Sequence, residues 1–160
     1  MFLKSITPNL ILNFILFVAF SISVNTFVNL KYINISFYII FHLTFIYYLF
    51  YNYQNLIFAL GFLYGILLDI FLLNIIGSHL TGLILLISLY TLTKKYLFLL
   101  SSYQISITIF ITLNLIIFIE IMFAYFINNI YFSITNLLEY LIISLIIFIP
   151  SIFVLNKINS

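Results

Sequence analysis

Apolar residues follow one another along almost the whole of this chain, and only short polar breaks interrupt them. Of the 160 residues, 66% are hydrophobic and 5% are charged, whereas soluble domains carry about 25% charged residues. So few charges cannot cover the surface of a water-soluble globule, and the composition therefore predicts an integral membrane protein. Alternating strand patterns are absent and backbone groups in lipid must be hydrogen-bonded internally, so we expect an all-α fold.

The polar breaks divide the chain into six apolar segments, each of which we predict to be a transmembrane helix. The second and fourth segments are short, so we expect either that they tilt little in a bilayer or that their flanking Tyr and Lys side chains reach out to the interface. The first lacks a small-x-small cleavage site, which favours a retained helix over a signal peptide. No room remains for a soluble domain, and we expect residues 1–160 to form a single membrane domain. The predicted helices span approximately residues 8–28, 36–51, 55–76, 79–93, 103–127 and 137–156.

The few lysines predict how the chain is oriented. With six spans, one side of the membrane holds Lys4, Lys94, Lys95 and Lys157, and the other side holds Lys31. The positive-inside rule therefore places both termini in the cytoplasm. The Lys94–Lys95 pair is in addition suited to a weak contact with anionic lipid or a cytoplasmic partner. The net charge of +2 is too small to indicate nucleic-acid binding.

The sequence lacks the patterns that carry catalysis or bind metals. Cysteine is absent, which excludes disulfides and thiolate metal sites. There is no HExxH and no second histidine at ligand spacing, so we expect no metal site. GxSxG, a P-loop and a glycine-rich dinucleotide loop are also missing. We therefore expect a protein that is not an enzyme and that binds no cofactor.

One aspartate lies inside the run GFLYGILLDIFLLNIIG, which spans residues 61–77. Gly61, Gly65 and Asp69 follow one another at four-residue steps, so on a helix they share one face. The glycines are expected to let another backbone approach closely, and the aspartate is expected to point toward protein rather than lipid. A buried structural acid and a functional polar site remain equally supported alternatives for Asp69.

Depth in the membrane suggests a polar layer made of His42, Asp69 and Glu120. Each acid stands eight residues before the outer end of its predicted helix, which is about 12 Å. His42 stands roughly 9 Å from the outer start of the second helix. Our hypothesis is that His42 pairs with one of the two acids. The alternative is a set of separate hydrogen bonds to neighbouring backbones or hydroxyls.

Four further residues stand near predicted helix ends or inside the last helix. Ser78 is a candidate N-cap of the fourth helix, and His79 is expected to be a solvated or capping residue at the membrane surface. Glu139 is placed to interact with the positive end of the last helix dipole. Pro150 is expected to kink the last helix because it cannot donate a backbone hydrogen bond.

The stretch GFLYGILLDIFLLNIIGSHL resembles the signature of the MreD family of bacterial rod shape-determining membrane proteins. That signature has G-x-x-x-G-x-x-x-D, a glycine eight residues after the aspartate, and often a His or Arg and a Leu shortly afterwards. The chain departs from the family pattern at two places. Many members have a small residue or glycine after the aspartate, where this chain has the bulky FLLNII, and the basic residues usual at the C-terminus are reduced to one lysine. The matching positions are Gly61, Gly65, Asp69, Gly77, His79 and Leu80, and Pro150 ahead of Lys157 matches the family's proline before its C-terminus.

The resemblance implies a compact six-helix bundle similar to the substrate-binding components of energy-coupling-factor (ECF) vitamin transporters. It implies a non-catalytic inner-membrane scaffold that regulates the cell-elongation machinery, cell shape and lateral peptidoglycan synthesis. The implied partners are membrane lipids, MreC, the actin-like MreB, the glycosyltransferase RodA and its associated transpeptidase.

Two other functions remain as alternatives to the scaffold. One is a substrate-binding subunit of a small-molecule (vitamin) transporter with the same fold, and the weaker one is a small lipid-modifying enzyme. An open outer cavity of roughly 300 Å³ or more would favour ligand binding. A sealed core around Asp69 would favour the scaffold.

Overall fold

A computed structural model describes residues 8–26, 30–51, 56–73, 77–97, 99–128 and 133–159. Every regular element in these ranges is helical, which confirms the all-α prediction. Lys4 and the polar break at residues 52–55 lie outside the described residues. The elements are α1 (Pro8–Thr26), α2 (Lys31–Tyr51), α3 (Leu56–Leu68) with a following π-helical turn (Asp69–Leu73), α4 (Ser78–Leu97), α5 (Ser102–Asn128) and α6 (Ile134–Asn159).

Helices α2 and α4 are longer than the sequence predicts. The first has 21 residues and the second has 20, which is about the length that crosses a bilayer. Polar residues at their ends continue the helix instead of ending it. The Ser36 hydroxyl, for example, donates to the Tyr32 carbonyl oxygen of its own helix at 2.8 Å. Lys94 and Lys95 lie in the last turn of α4, where cations interact favourably with the helix dipole.

Four of the described helices are long and apolar enough to span a membrane: α2, α4, α5 and α6. The apolar parts of the other two, Leu10–Val24 and Leu56–Leu72, are shorter. At a rise of 1.5 Å per residue the second of these is about 25 Å long. That the chain crosses the membrane six times therefore stays a prediction. The same holds for the prediction that residues 1–160 form a single membrane domain.

The chain divides into two compact units. We call Met1–Tyr48 together with Leu138–Ser160 the terminal unit, and Leu49–Leu137 the central unit. The terminal unit contains α1, most of α2 and most of α6. The central unit contains α3, the π-helical turn, α4 and α5.

In the terminal unit α1 runs antiparallel to α2. The Asn13 side-chain amide donates to the Phe41 carbonyl oxygen at 3.1 Å and to the Thr44 hydroxyl at 2.8 Å. Further along α1, the ring of Phe20 lies 5.5 Å from that of Tyr38, which comes earlier in α2. Position rises along one helix as it falls along the other, so the two helices have opposite directions.

Helix α6 runs parallel to α2 in the same unit. Near the starts of both helices, Lys31 forms an ion pair with Glu139. Near their ends, the Tyr47 hydroxyl donates to Asn156 Oδ1 at 2.9 Å. The start of α2 lies beside the start of α6, and the ends of the two helices also lie together, so both helices run in the same direction. Helix α6 continues through Pro150, which lies exposed on its surface, and a kink there stays a prediction.

In the central unit α4 lies against both α3 and α5. Gly65 of α3 approaches the backbone of Leu80 near the start of α4. Gly82 of α4 lies against the Glu120 side chain of α5, and Gly77 lies near Ile127 at the far end of α5. The start of α4 therefore meets the end of α5, which makes the two helices antiparallel.

Candidate functional site

Asp69 lies at the junction between α3 and the π-helical turn. Its relative exposure is 0%, so its carboxylate has no access to water as an alternative hydrogen-bonding partner. An isolated charge in such a place is costly, and buried charges are therefore paired or hydrogen-bonded. The partners of this carboxylate decide what the residue does.

The Asp69 carboxylate accepts hydrogen bonds from the beginning of α4. Oδ1 accepts from the His79 backbone N–H and from His79 Nδ1, both at 2.8 Å. Oδ2 accepts from the Gly77 N–H at 2.7 Å and from the Leu80 N–H at 3.2 Å. A carboxylate offers about four acceptor positions in all. These bonds fill that capacity.

This arrangement makes Asp69 the N-terminal cap of a helix to which it does not belong. The first N–H groups of an α-helix have no partner inside the helix, and in lipid each unsatisfied group costs several kcal/mol. Asp69 satisfies the N–H groups of His79 and Leu80, the second and third residues of α4. Its negative charge also lies at the positive end of the α4 dipole.

The prediction that Ser78 caps α4 is wrong. The Thr81 N–H donates to the Gly77 carbonyl oxygen at 2.9 Å, which is the first backbone hydrogen bond of the helix. Gly77 therefore occupies the N-cap position, and Ser78 is the first residue inside the helix. Glycine has no side chain with which to cap, so the capping oxygens come from Asp69.

Gly77 also has a backbone conformation that favours glycine. Its φ is 155°, a value that residues with a side chain rarely adopt. A Cβ added there would meet the Ile127 side chain at 3.7 Å, an ordinary contact distance. The backbone conformation, rather than crowding, is therefore the physical reason for glycine at this position.

His79 was expected to be a solvated or a capping residue, and because it is buried the solvated alternative is wrong. Its relative exposure is 6%, and its ring hydrogen-bonds to the same Asp69 oxygen that accepts its backbone N–H. A carboxylate oxygen accepts, so the ring nitrogen Nδ1 carries the hydrogen. His79 thus binds the aspartate twice and fixes its orientation.

Gly65 brings the start of α4 within reach of the aspartate. A Cβ at position 65 would lie 2.5 Å from the Leu80 Cα atom and 3.0 Å from its backbone nitrogen. Real Cβ atoms do not approach a backbone so closely, so a side chain at position 65 would push α4 away. Gly61, one turn earlier in α3, is also buried.

Glu120 packs against Gly82, a glycine that lies outside the pattern formed by Gly61, Gly65 and Asp69. It is 2% exposed, and a Cβ at Gly82 would lie 2.7 Å from its Cγ atom and 3.2 Å from Oε1. The signal for Gly82 was present in the sequence, because a lone glycine in an apolar helix typically marks a close helix contact. Two carboxyl groups from other elements therefore contact the first half of α4. Asp69 accepts hydrogen bonds from its N–H groups, and Glu120 packs against Gly82.

His42 belongs to the terminal unit and is fully buried there. Its Nδ1 lies 2.9 Å from the Tyr38 carbonyl oxygen, one turn earlier in α2. The Tyr38 and Phe41 rings lie 4.2 and 5.1 Å from the imidazole. This contact with a backbone carbonyl agrees with the alternative hypothesis, in which the polar residues make separate hydrogen bonds to neighbouring backbones or hydroxyls. Pairing of His42 with Asp69 or Glu120 stays a prediction.

The described ranges contain no group of three or more His, Asp or Glu side chains that could hold a metal ion. No protein-family model, no curated protein and no solved structure matches the chain. The site is therefore interpreted from its geometry: a carboxylate whose acceptor positions are filled by protein holds a helix in place.

Proposed function

We propose that this chain is a non-catalytic membrane scaffold of the MreD type, which regulates bacterial cell elongation and maintains cell shape. The observation that carries the proposal is that Asp69 caps the start of α4. Its carboxylate is fully buried and accepts its hydrogen bonds from Gly77, His79 and Leu80. An acid committed in this way maintains a conformation instead of binding a substrate.

The same observation gives the resemblance to the MreD signature a physical meaning. In this chain Gly65 admits the α4 backbone, Asp69 caps it, Gly77 makes the turn and His79 fixes the carboxylate. Each of these positions depends on another, so they are expected to occur together in a sequence. Such interdependence supports a structural motif over a chance coincidence of residues.

Six membrane spans are supported by the direction of the helices. Helices α2 and α6 are parallel, so an odd number of spans separates them. Helix α4 is antiparallel to α5, and three spans by α3, α4 and α5 fulfil that condition. Helix α1 is antiparallel to α2, and with six spans the proposal therefore puts both termini on the side of Lys94, Lys95 and Lys157. We assign that side to the cytoplasm and the membrane to the bacterial inner membrane.

The partners in this proposal are MreC, MreB, RodA and its associated transpeptidase, together with membrane lipids. The vitamin-transporter alternative would be favoured by an open outer cavity beside Asp69. The aspartate is instead fully buried, and both of its carboxylate oxygens are hydrogen-bonded to protein. We therefore favour the scaffold.

The proposal is tested by deleting the gene in its own bacterium. We expect rod-shaped cells to become round, and re-expression of the wild-type chain to restore the rods. Asp69→Ala is expected to reach the membrane without restoring shape, whereas Phe118→Ala, at an exposed position of α5, is expected to restore it. A tagged wild-type chain should co-purify MreC from solubilised membranes. Normal rods after deletion, with no MreC recovered, would overturn the proposal.

A further inference from the structure

A groove lies between the second half of α4 and the first half of α5, within the central unit. Its volume is about 140 Å³, room for part of one hydrocarbon chain and not for a whole lipid. On α4 its lining extends from Leu85 to Leu97, which is about 18 Å along the helix axis. Leu89, Ile111 and Leu115 line it and are between 45% and 58% exposed, so the groove is open at the side.

The polar groups in the groove wall are turned to the backbone. Thr93, Thr108 and Thr112 each donate their hydroxyl hydrogen to a carbonyl oxygen of their own helix, at 2.9, 2.8 and 2.7 Å. The Tyr90 hydroxyl reaches the Phe50 carbonyl oxygen at 3.4 Å. With these hydrogens committed, the groove presents mainly methyl groups and rings. Such a surface suits a hydrocarbon chain better than a polar solute.

A positive charge flanks one end of the groove. Lys94 lies in the last turn of α4, about 100° around the helix from the lining residue Thr93, and is partly exposed. Lys95 lies about 200° from Thr93, on the opposite face of the helix, and is exposed. A basic residue at the membrane end of a hydrocarbon groove matches a molecule with a negative headgroup and an acyl tail.

We propose that this groove binds an anionic phospholipid. Lys94 holds the phosphate, and one acyl chain lies along the groove between α4 and α5. A second copy of the chain that docked through the same face would fit less well, because it would bring a second Lys94 toward the same end. A zwitterionic lipid fills the groove equally well but gains less from the lysine. The proposal does not depend on the scaffold function.

The absence of tryptophan from the chain permits a test with a single fluorescent residue. Leu115 lines the groove and Phe118 does not. Both belong to α5 and both are 46% exposed. Leu115→Trp and Phe118→Trp are therefore a matched pair, purified as full-length protein and placed in phosphatidylcholine vesicles. The probes are phosphatidylglycerol and phosphatidylcholine with brominated acyl chains, which quench tryptophan on contact.

For Leu115→Trp we expect half-maximal quenching at a mole fraction of brominated phosphatidylglycerol about fivefold lower than that of brominated phosphatidylcholine. For Phe118→Trp the two lipids should quench alike. Adding Lys94→Gln should remove the preference, and adding Lys95→Gln, on the opposite face of α4, should leave it unchanged. Equal quenching of Leu115→Trp by both lipids would overturn the proposal, as would a preference that survives Lys94→Gln. Protection of Leu115→Trp from either lipid would overturn it in favour of a second copy in the groove.

Discussion

Gly65 in α3 stands so close to Leu80 in α4 that a Cβ at position 65 would lie 2.5 Å from the Leu80 Cα atom. Four residues later, at the start of the π-helical turn, Asp69 accepts the N–H of the same leucine at 3.2 Å. The glycine permits the approach that the aspartate then uses. The two residues therefore act together, and a change in either is expected to move the start of α4.

Gly65→Ala tests the close approach with the smallest possible side chain. The added methyl group meets backbone, which cannot rotate away, so we expect a loss of about 1 to 3 kcal/mol of stability. The measurement is thermal unfolding in detergent, followed by circular dichroism, with Leu63→Ala on the exposed face of the same helix as the control. A wild-type midpoint for Gly65→Ala would contradict the close contact between Gly65 and the Leu80 backbone.

Asp69→Asn tests the cap, because it keeps the shape of the side chain and removes its charge. One oxygen is replaced by an NH₂ group that faces N–H donors, so we expect a loss of about 2 to 3 kcal/mol. Asp69→Leu should cost more while leaving membrane insertion intact.

Hydrogen exchange in Asp69→Asn shows whether Asp69 acts as the cap of α4 or only as a buried residue of the core. Hydrogen exchange should rise first at the backbone amides of His79 and Leu80, which lose their acceptor in Asp69→Asn. Glu139→Gln, which removes a carboxylate from α6, is the matched control and should leave those amides unchanged. Protection of both amides in Asp69→Asn would show that another group caps α4.

The sequence pattern was sufficient for the helical fold and for the burial of Gly61, Gly65 and Asp69, since both follow from hydrophobicity and helical spacing. It was insufficient for the partners of Asp69. Its bonds reach eight to eleven residues ahead, to the start of the next helix, and helical periodicity does not predict contacts between two helices. His79 was therefore expected near the membrane surface, although it lies buried against the aspartate.

Depth along the membrane normal was also insufficient to predict which residues of the polar layer contact one another. Counting residues from a helix end gives height and not direction around the helix. Asp69 and Glu120 were placed at one height, and both do lie against the first half of α4. Which side chains they meet there depends on rotation of each helix, and that is set by glycines such as Gly82.

Gly82→Ala and Glu120→Ala together test the contact between α4 and α5. Alone, Gly82→Ala places a methyl group 2.7 Å from Glu120 Cγ and should destabilise the protein. In the double variant the shortened side chain at position 120 leaves room for that methyl group. We expect the double variant to be more stable than the sum of the single changes predicts, by about 0.5 to 3 kcal/mol. Additive effects in a double-mutant cycle would mean that the two side chains do not touch.

The parallel course of α2 and α6 is tested through the absence of cysteine in the natural chain. Lys31→Cys combined with Glu139→Cys should cross-link with a short bismaleimide, and so should Tyr47→Cys combined with Asn156→Cys. The mixed pair of positions 31 and 156 is the control and should not cross-link, since it joins opposite ends of the helices. In intact cells an impermeant maleimide should label position 31 alone, and position 157 should react only after the membrane is opened. Labelling of both from outside would exclude the six-span orientation with cytoplasmic termini.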